Sequence, residues 1–525
     1  MPRPLDRRSL IILSNREPYE HIGDASGVAV RTPAGGLVSA LDPTMRRTAG
    51  VWVAWGSGSA DREHTGADGR LPVPPAEPAY TLRRVFLEPR EVEGYYQGFA
   101  NSALWPLCHL LIQHFEFRAE HWERYKAVNE RFARAVADEV RRSRDEPLVW
   151  VQDYHFALAP QMLRAMVPGT FIHQFWHIPF PPPDILRLLP SGTVDSLLRG
   201  MLGNDLLEFH TERYARNFLD CVSQFCPDIA VDERRLCAQL TDHTLQVGAF
   251  PISIDVEMYE TLAASPTSTT RVGTWRERYA GSGRQLGVSV DRLDYTKGIP
   301  ERLRALDLLW TRHPELREKF TMLVVATPSR SDLPAYSRLE EEVVAMALGI
   351  NERHRTPDWT PIVLVTQSID AELVSSVFRA ADLCLVSSLQ DGMNLVAKEF
   401  IACQTEERGV LVLSRFTGAA EEIDGALLIN PFNVDGFAMA IREALAMPPG
   451  ERRERMRRMR AQLREATIFD WLEAILSRCA RILDARASDA RSREARDARD
   501  AREPRAPRAR TDRTDPEHPS LGASL

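Results

Sequence analysis

The sequence predicts an α/β protein in which two Rossmann-like domains face each other across a cleft. Apolar strands alternate with amphipathic helices from residue 9 to about residue 250, and a second alternation starts at residue 285. Such alternation is typical of mostly parallel sheets. Polar residues follow the strands of both halves, and doubly wound sheets bind ligands at the carboxyl ends of their strands. A chain of 525 residues is long enough for two such domains and a tail.

The composition excludes several classes of protein. The net charge is −7, and no domain-wide basic face indicates a nucleic-acid partner. The seven cysteines are an odd number without a C-x-x-C pair, so we expect reduced thiols and neither disulfides nor a metal site. The first apolar run, at residues 10–13, is too short for a signal peptide or a membrane span. We therefore expect a soluble, cytoplasmic protein without membrane partners; the sequence leaves formation of a homo-oligomer open.

The first half begins with a strand at residues 9–14 that ends in Ser14-Asn15-Arg16. A Gly-rich turn at residues 32–38 opens a helix, and paired glycines allow close approach of the backbone to a ligand. Trp52 and Trp55 lie on a predicted second strand. Residues 56–78 are rich in Gly, Pro and acidic side chains, which predicts a loop.

Two further strands, at residues 148–151 and 171–176, deliver Asp153 and His177 at their carboxyl ends. A lone histidine is more often a core residue than a ligand. Two strand ends that each present a polar group favour a site over that alternative. The aromatic stretch at residues 95–106 is more typical of a core.

The second half follows a linker at residues 250–255. Its first strand, at residues 285–290, precedes a turn that carries Arg292 and Lys297. Two cations at this spacing would neutralise a diphosphate. Arginine suits such a group because its guanidinium can bind two phosphate oxygens at once. The alternative is an ordinary solvated turn.

A strand at residues 381–386 leads into a Gly turn and a helix, with Asp391 in the turn and Glu399 on the helix. The free amides of a helix N-terminus bind phosphate, whereas a carboxylate one turn deeper suits a sugar diol such as ribose. By itself the stretch is equally compatible with a strand–helix corner that has no ligand.

The chain ends in basic and mixed-charge segments. A basic amphipathic helical region begins at residue 451, and residues 487–525 repeat Ala-Arg-Asp-like units in which opposite charges nearly balance. Such a tail is expected to be disordered or partly helical and solvated. We therefore divide the chain into domains at residues 1–250 and 251–450, a C-terminal helix at 451–486 that packs back across the domains, and a disordered charged tail at 487–525.

Over residues 9 to about 480, a series of spaced motifs resembles the trehalose-6-phosphate synthases, retaining GT-B glycosyltransferases of family 20. The motifs are SNR at 14–16, AGGL at 34–37, YYxxFxNxxLWP at 95–106, DYH at 153–155, HIPFP at 177–181, RLDYxKGxPER at 292–302, PSR at 328–330, WTP at 359–361 and DGMNLVAKE at 391–399. The resemblance implies transfer of glucose from UDP-glucose to glucose 6-phosphate with retention of configuration. It implies no cofactor and no metal, and small-molecule substrates as the only partners.

The resemblance also implies an acceptor site. Its members are Arg16, Tyr96, Trp105, Asp153 and Arg330. Arg16 and Arg330 would contact the phosphate of glucose 6-phosphate. The first domain would then bind mainly the acceptor and the second the nucleotide sugar.

The implied donor site combines a glycine pair, two cations, the turn after residue 390 and contacts to the nucleoside. Its members are Gly35, Gly36, His177, Arg292, Lys297, Ile369, Asp391, Gly392, Met393, Asn394, Leu395, Val396 and Glu399. Glu399 would bind the ribose, Ile369 would lie near the base, and Asp391 would bind the sugar hydroxyls. The implied catalytic set consists of Asp153, His177, Arg292, Lys297 and Asp391. The base of the nucleotide is not fixed by the sequence.

Three departures from the family pattern leave alternatives open. Glu17-Pro18-Tyr19 resembles glucosylglycerol-phosphate synthase, whose acceptor is glycerol 3-phosphate, although Arg330 and the AGGL loop favour glucose 6-phosphate. Gln390 stands where an arginine is expected, and Glu208 adds a carboxylate near the cleft. A catalytically inactive regulatory protein is a second alternative, but such a protein is expected to lose phosphate-binding residues that this chain keeps.

Overall fold

Two large β-sheets, one from each half of the chain, form the framework of the protein. The computed structural model describes residues 9–24, 27–32, 36–330, 332–367 and 369–500. The strands are β1 (Leu10–Ser14), β2 (Glu20–Asp24), β3 (Gly27–Arg31), β4 (Val51–Trp55), β5 (Arg70–Val73), β6 (Tyr80–Val85), β7 (Leu148–Gln152), β8 (Phe171–Phe175), β9 (Leu206–Phe209), β10 (Ala230–Asp232), β11 (Cys237–Gln239), β12 (Thr244–Ala249), β13 (Gln285–Arg292), β14 (Phe320–Thr327), β15 (Ile362–Val365), β16 (Leu383–Val386), β17 (Val410–Ser414) and β18 (Leu427–Ile429).

Helices connect most of the parallel strands. They are α1 (Gly36–Thr48), α2 (Pro89–Val92), α3 (Trp105–Cys108), α4 (Ala119–Arg142), α5 (Ala159–Met166), α6 (Pro183–Leu186), α7 (Ser191–Leu202), α8 (Glu212–Phe225), α9 (Val256–Ala264), α10 (Pro266–Ala280), α11 (Ile299–Arg312), α12 (Pro334–His354), α13 (Ala371–Ala380), α14 (Leu395–Cys403), α15 (Val434–Ala446), α16 (Pro449–Glu465) and α17 (Ile468–Asp500). A π-helix at Glu93–Leu104 and several 3₁₀ turns complete the connections.

The first sheet has the strand order β10-β11-β12-β9-β8-β7-β1-β4-β6-β5. From β12 to β6 the pairs are parallel, and antiparallel pairs occur only at the two edges. The continuous apolar runs of β1 and β7 are buried throughout, as expected where helices cover both faces of a parallel sheet. The strand order reverses between β1 and β7, and this switch point is where ligands bind in such sheets.

The second sheet is parallel throughout, in the order β15-β14-β13-β16-β17-β18. Counted from its own first strand, this is the order 3-2-1-4-5-6 of a doubly wound dinucleotide-binding sheet. Its switch point lies between β13 and β16. The predicted α/β fold class with one mostly parallel sheet in each half is thus confirmed.

Several elements differ from the sequence-based prediction. Residues 56–78 were predicted to be a loop, but they contain the short strand β5, which pairs antiparallel to β6. The antiparallel hairpin β2–β3 was not predicted at all. The basic C-terminal region forms two helices, and the second of them continues to Asp500. The remainder of the predicted tail, residues 501–525, lies outside the described residues.

Among the described residues, those up to Ser477 cluster as one compact unit, and those from Arg478 to Asp500 form a second. Within the first unit, the beginning of α17 contacts the linker between the two sheets. The backbone N–H of Ile468 donates to the Ile254 carbonyl at 3.0 Å, and Trp471 Nε1 donates to the Phe250 carbonyl at 3.1 Å. Among the helices of the described residues, none is long and apolar enough to cross a membrane. The predicted domain limits themselves stay a prediction.

Candidate active site

The switch points of both sheets open into one cavity of about 470 Å³. Residues that follow β1 and β7 line it from the first half, and residues that follow β13 and β16 line it from the second. Many of the predicted site residues line this cavity: Arg16, Tyr96, Trp105, Asp153, His177, Arg292, Lys297, Arg330, Asp391, Met393, Asn394, Leu395 and Val396. The cavity therefore brings together most of the side chains that the sequence assigned to two substrates.

Arg330 is held by contacts from both halves of the chain. Its guanidinium stacks over the Trp105 ring at 4.1 Å from the centroid. Nη1 donates to Tyr336 Oη at 2.6 Å and lies 3.3 Å from Asp294 Oδ2. The backbone of Arg330 has a φ of 51°, a strained conformation for a residue with a side chain. This fixed cation suits a phosphate group in the cavity.

Tyr96 lies close to three arginines of the cavity. Its ring stacks on His155 at a centroid distance of 5.8 Å. Burial opposes ionisation of the phenol, but the nearby guanidinium groups of Arg330, Arg16 and Arg292 together lower its pKa below the ordinary value. The arginines assigned to different substrates therefore act on one phenol, as expected if the two substrates meet beside it.

Asp153 follows β7 in a left-handed backbone conformation, with a φ of 67°. Its backbone N–H donates to the Phe175 carbonyl at 2.7 Å, and its Oδ1 accepts from the His177 N–H at 3.1 Å. Burial raises the pKa of this carboxyl to about 7, although the backbone N–H groups of Tyr154 and His177 and the guanidinium of Arg330 oppose the shift. The carboxylate can accept hydrogen bonds from sugar hydroxyls.

Lys297 and Asp391 form an ion pair across the second switch point. The Lys297 Nζ lies 2.6 Å from Asp391 Oδ2, which also accepts from Ser388 Oγ at 3.1 Å and Asn394 Nδ2 at 3.2 Å. Burial would raise the pKa of Asp391, but Lys297 outweighs it and lowers the pKa to about 2. Asp391 therefore stays ionised. Among the described residues, no carboxylate forms an ion pair with Arg292, whose charge faces the same cavity.

The turn from β16 to α14 packs directly against the first half of the chain. A Cβ on Gly392 would lie 2.2 Å from the His177 carbonyl oxygen, so only glycine fits. Asn394 then caps α14, since its side-chain oxygen accepts from the Ala397 N–H at 3.0 Å. This cap directs the first turn of the helix, with Leu395 and Val396, towards the cavity.

Five of the predicted donor residues are not among the described residues that line the cavity: Gly35, Gly36, Ile369, Gly392 and Glu399. Gly36 begins α1, and Gly35 lies outside the described residues. Ile369 is half-buried between β15 and α13. Glu399 lies one turn into α14, where burial raises its pKa to about 7 against a hydrogen bond from Tyr259. The donor roles of these residues stay predictions.

All three departures from the family pattern have structural partners away from the cavity lining. Glu17 is fully buried, with an oxygen 2.6 Å from Arg84 Nε. Gln390 Nε2 donates to Tyr214 Oη at 3.1 Å. Glu208 is buried on β9, 2.9 Å from His173 Nε2. None of the three therefore changes the charge that a ligand in the cavity would meet directly.

Sequence reasoning missed several residues that line the cavity, among them Asn15, Gln152, His155, His210 and Ile252. Asn15 and His155 lie within the SNR and DYH motifs, and Gln152 directly precedes the DYH motif. His210 lies at a strand end, so its position in the sheet was the available signal. Among the described residues, no group of three or more His, Cys, Asp or Glu side chains is arranged to hold a metal ion.

The chain is similar to known proteins over most of its length. The model of glycosyltransferase family 20 matches residues 8–481. The trehalose-6-phosphate synthase of Mycolicibacterium smegmatis is 37% identical over 479 residues, which cover 90% of this chain and 92% of that protein. The bifunctional trehalose-6-phosphate synthase/phosphatase of Thermoproteus tenax is 36% identical over 477 residues, or 88% of this chain. This chain spans only 62% of the length of that bifunctional relative.

A solved structure supports the same relationship at the level of the fold. It is an α,α-trehalose-phosphate synthase (UDP-forming) from Burkholderia xenovorans in complex with glucose-6-phosphate. The two structures match with a TM-score of 0.79 at 33% identity, over 90% of this chain and 99% of that one. The GT-B fold and the family that the motifs predicted are confirmed, and the chain belongs to glycosyltransferase family 20.

Proposed function

We propose that this protein transfers glucose from UDP-glucose to glucose 6-phosphate, releasing UDP and α,α-trehalose 6-phosphate. The observation that carries the proposal is the convergence of Arg16, Arg330, Arg292 and Lys297 on one cavity at both switch points. Two phosphorylated substrates must be held together in this reaction, and arginine and lysine are the side chains that bind phosphate oxygens. The names of the relatives support the same reaction.

In this proposal the cations divide between the substrates. Arg16 and Arg330 hold the phosphate of glucose 6-phosphate, and Asp153 accepts from its hydroxyls. Arg292, Lys297 and the amides at the start of α14 hold the diphosphate of the donor, because helix N-termini stabilise anions. Asp391, which stays ionised, binds hydroxyls of the glucose that is transferred.

The proposed chemistry proceeds on one face of the donor sugar. The anomeric hydroxyl oxygen of glucose 6-phosphate bonds to C1 of the donor glucose as the bond between C1 and the diphosphate oxygen breaks. The hydroxyl proton passes to an oxygen of the departing diphosphate. Because attack and departure share one face, the configuration at C1 is retained. Arg292 and Lys297 stabilise the negative charge that develops on the leaving group.

Glycerol 3-phosphate is the second candidate acceptor. The feature that favours it is Glu17-Pro18-Tyr19, and Glu17 is buried against Arg84, with no part in the cavity lining. Glucose 6-phosphate is therefore the better-supported acceptor. An inactive regulatory role has less support, since the four phosphate-binding cations are all in place.

The test is the release of UDP from UDP-glucose by the purified protein, with glucose 6-phosphate or glycerol 3-phosphate supplied in parallel. We expect release with glucose 6-phosphate alone. Release only with glycerol 3-phosphate would overturn the acceptor assignment. If neither acceptor supports release, the assay is repeated with ADP-glucose and GDP-glucose, which separates a different donor from an inactive protein.

A further inference from the structure

We propose that Gln152 binds the transferred glucose in addition to Asp391. Its side-chain N–H donates to a hydroxyl of that glucose, and its side-chain carbonyl oxygen orients His177. This inference rests on the proposed function, because it assigns a role within the same cavity. Gln152 was not among the residues that the motifs predicted. Its assignment comes from its place at the end of β7 and from an unused hydrogen-bond donor.

The side chain of Gln152 is built into the wall of the cavity. Only 1% of the residue is exposed, yet it lines the cavity beside Asp153. Its Oε1 lies 2.9 Å from His177 Nε2. Among the described residues, its buried Nε2 has no hydrogen-bond partner. A buried donor without a partner is uncommon in folded proteins, and a ligand in the cavity would supply the missing acceptor.

The hydrogen bond to Gln152 determines which nitrogen of His177 carries the proton. Burial and the neighbouring His173 lower the pKa of His177 to about 3, so its ring is neutral at physiological pH. Because Nε2 donates to the amide oxygen, Nδ1 keeps its lone pair. Aromatic rings surround the imidazole, with centroids at 4.5 Å for Phe175 and 5.3 Å for His210. Gln152 thus holds this ring through a hydrogen bond to Nε2.

The chemistry of the site indicates a sugar hydroxyl as the partner of the amide. The phosphate groups of both substrates already have arginine and lysine partners, whereas a neutral N–H suits an uncharged oxygen. Gln152 is bonded to His177, whose carbonyl oxygen contacts Gly392 in the turn assigned to the donor. The position therefore favours the glucose that is transferred over the acceptor.

The experiment compares wild type and Gln152→Met with UDP-glucose and its 2-, 3-, 4- and 6-deoxy analogues. Methionine keeps the length of the side chain and removes the amide. With the analogue that lacks the hydroxyl bound by Gln152, we expect the kcat/KM of wild type to fall roughly 10- to 100-fold, the range for a buried hydrogen bond. Gln152→Met should show a similar loss with UDP-glucose and no further loss with that analogue.

Two results would overturn the sugar contact. One is that each donor analogue lowers kcat/KM by the same factor in wild type and in Gln152→Met. The other is a coupling that appears with deoxy analogues of glucose 6-phosphate instead. The matched control is Gln174→Met, since Gln174 is a buried glutamine on β8 whose amide groups bond to Asn204 and to the Asp153 carbonyl. It should couple to none of the donor analogues.

The orienting role has a readout that does not require activity. In protein labelled with ¹⁵N-histidine, the His177 signals are identified from the spectrum of His177→Asn. We expect the proton on Nε2 in wild type and in Gln152→Glu, which keeps an acceptor oxygen, and a mixed tautomer in Gln152→Met. An unchanged tautomer in Gln152→Met would overturn this role. If wild type does not use UDP-glucose, the proposed function and the sugar contact both fail, and the tautomer measurement still decides the orienting role.

Discussion

Arg330 carries the positive charge that we expect to bind the phosphate of the acceptor. Arg330→Ala should raise the KM for glucose 6-phosphate far more than the KM for UDP-glucose. A charge-assisted hydrogen bond contributes about 1.5–3 kcal/mol, or roughly 10- to 100-fold. Steady-state kinetics with each substrate varied in turn measures both constants. Arg338→Ala, an exposed arginine on α12, is the control and should leave both unchanged. Equal effects on both substrates in Arg330→Ala would exclude the acceptor assignment.

Asp153 should make folding stability depend on pH. Its pKa of about 7 in the folded protein lies above its ordinary value of 3.8, so the folded state binds more protons between these values. The contribution of Asp153 to stability therefore falls as pH rises from about 4 to 7. As pH rises over this interval, the free energy of unfolding of Asp153→Asn should increase by about 1–4 kcal/mol relative to that of wild type, measured by urea unfolding at several pH values.

Asp391 provides the matched comparison, because its pKa is lowered to about 2. Its stabilising contribution is complete above the ordinary carboxyl pKa and is lost only as pH falls towards 2. The stability difference between wild type and Asp391→Asn should therefore stay constant from about pH 5 to 8. A constant difference for Asp153→Asn over the same range would show that its pKa is not raised.

Among individual residues, the sequence predicted polar side chains in the turns that follow buried strands, such as Asp153, His177 and Asp391. It could not predict the direction of Glu17, whose partner Arg84 is 67 residues away along the chain. Gln152 was missed for a related reason. Its unused donor is apparent only when the surrounding side chains are in place.

Among the elements, the turn from β16 to α14 depends most on one residue. Gly392→Ala would place a methyl group about where the His177 carbonyl oxygen lies, 2.2 Å away, so the turn must move. We expect kcat/KM to fall by roughly 100-fold or more, since a displacement of about 1 Å has this effect in other enzymes. The melting temperature should also fall.

Gly192→Ala is the matched control for this turn. Gly192 lies in α7, and a Cβ there would have no heavy atom within 4 Å. Alanine is the better helix former, by roughly 1 kcal/mol, so this variant should keep its activity and be no less stable. Wild-type activity in Gly392→Ala would mean that the turn is not held against His177 during catalysis.

The elements that the sequence predicted are those with long apolar runs, such as β1, β7 and β14. The short edge strands β10 and β11 and the hairpin β2–β3 were not predicted. Strands of this kind form because a neighbouring strand is available, and their own residues carry little signal. Likewise, the strand β5 lies in a stretch of Gly, Pro and acidic residues and depends on pairing with β6.

At the scale of the whole molecule, Lys398 connects α14 to the linker between the two sheets. Its buried Nζ lies 2.8 Å from the Ile252 carbonyl oxygen and 2.8 Å from Glu422 Oε2. Lys398→Met should lower the free energy of unfolding by about 1–3 kcal/mol, less than for a fully buried pair because Glu422 is partly exposed. Lys126→Met, which removes an exposed pair with Glu123, is the control and should change it by less than about 1 kcal/mol. Equal effects in urea unfolding would exclude a structural role for Lys398.

The tandem arrangement of two doubly wound halves could be predicted from the alternation of strands and helices. Which strand ends meet could not, because it depends on how the two switch points come together around one cavity. That meeting of both halves is the basis of the proposed transfer reaction.

The most direct test of the proposed glucosyl transfer is ¹H NMR of the product formed from UDP-glucose and glucose 6-phosphate by the purified protein. We predict a non-reducing disaccharide phosphate in which both anomeric protons show the small couplings of α-linkages, together with one UDP per molecule formed. A β-linked product, or one that keeps a reducing end, would exclude the proposed reaction.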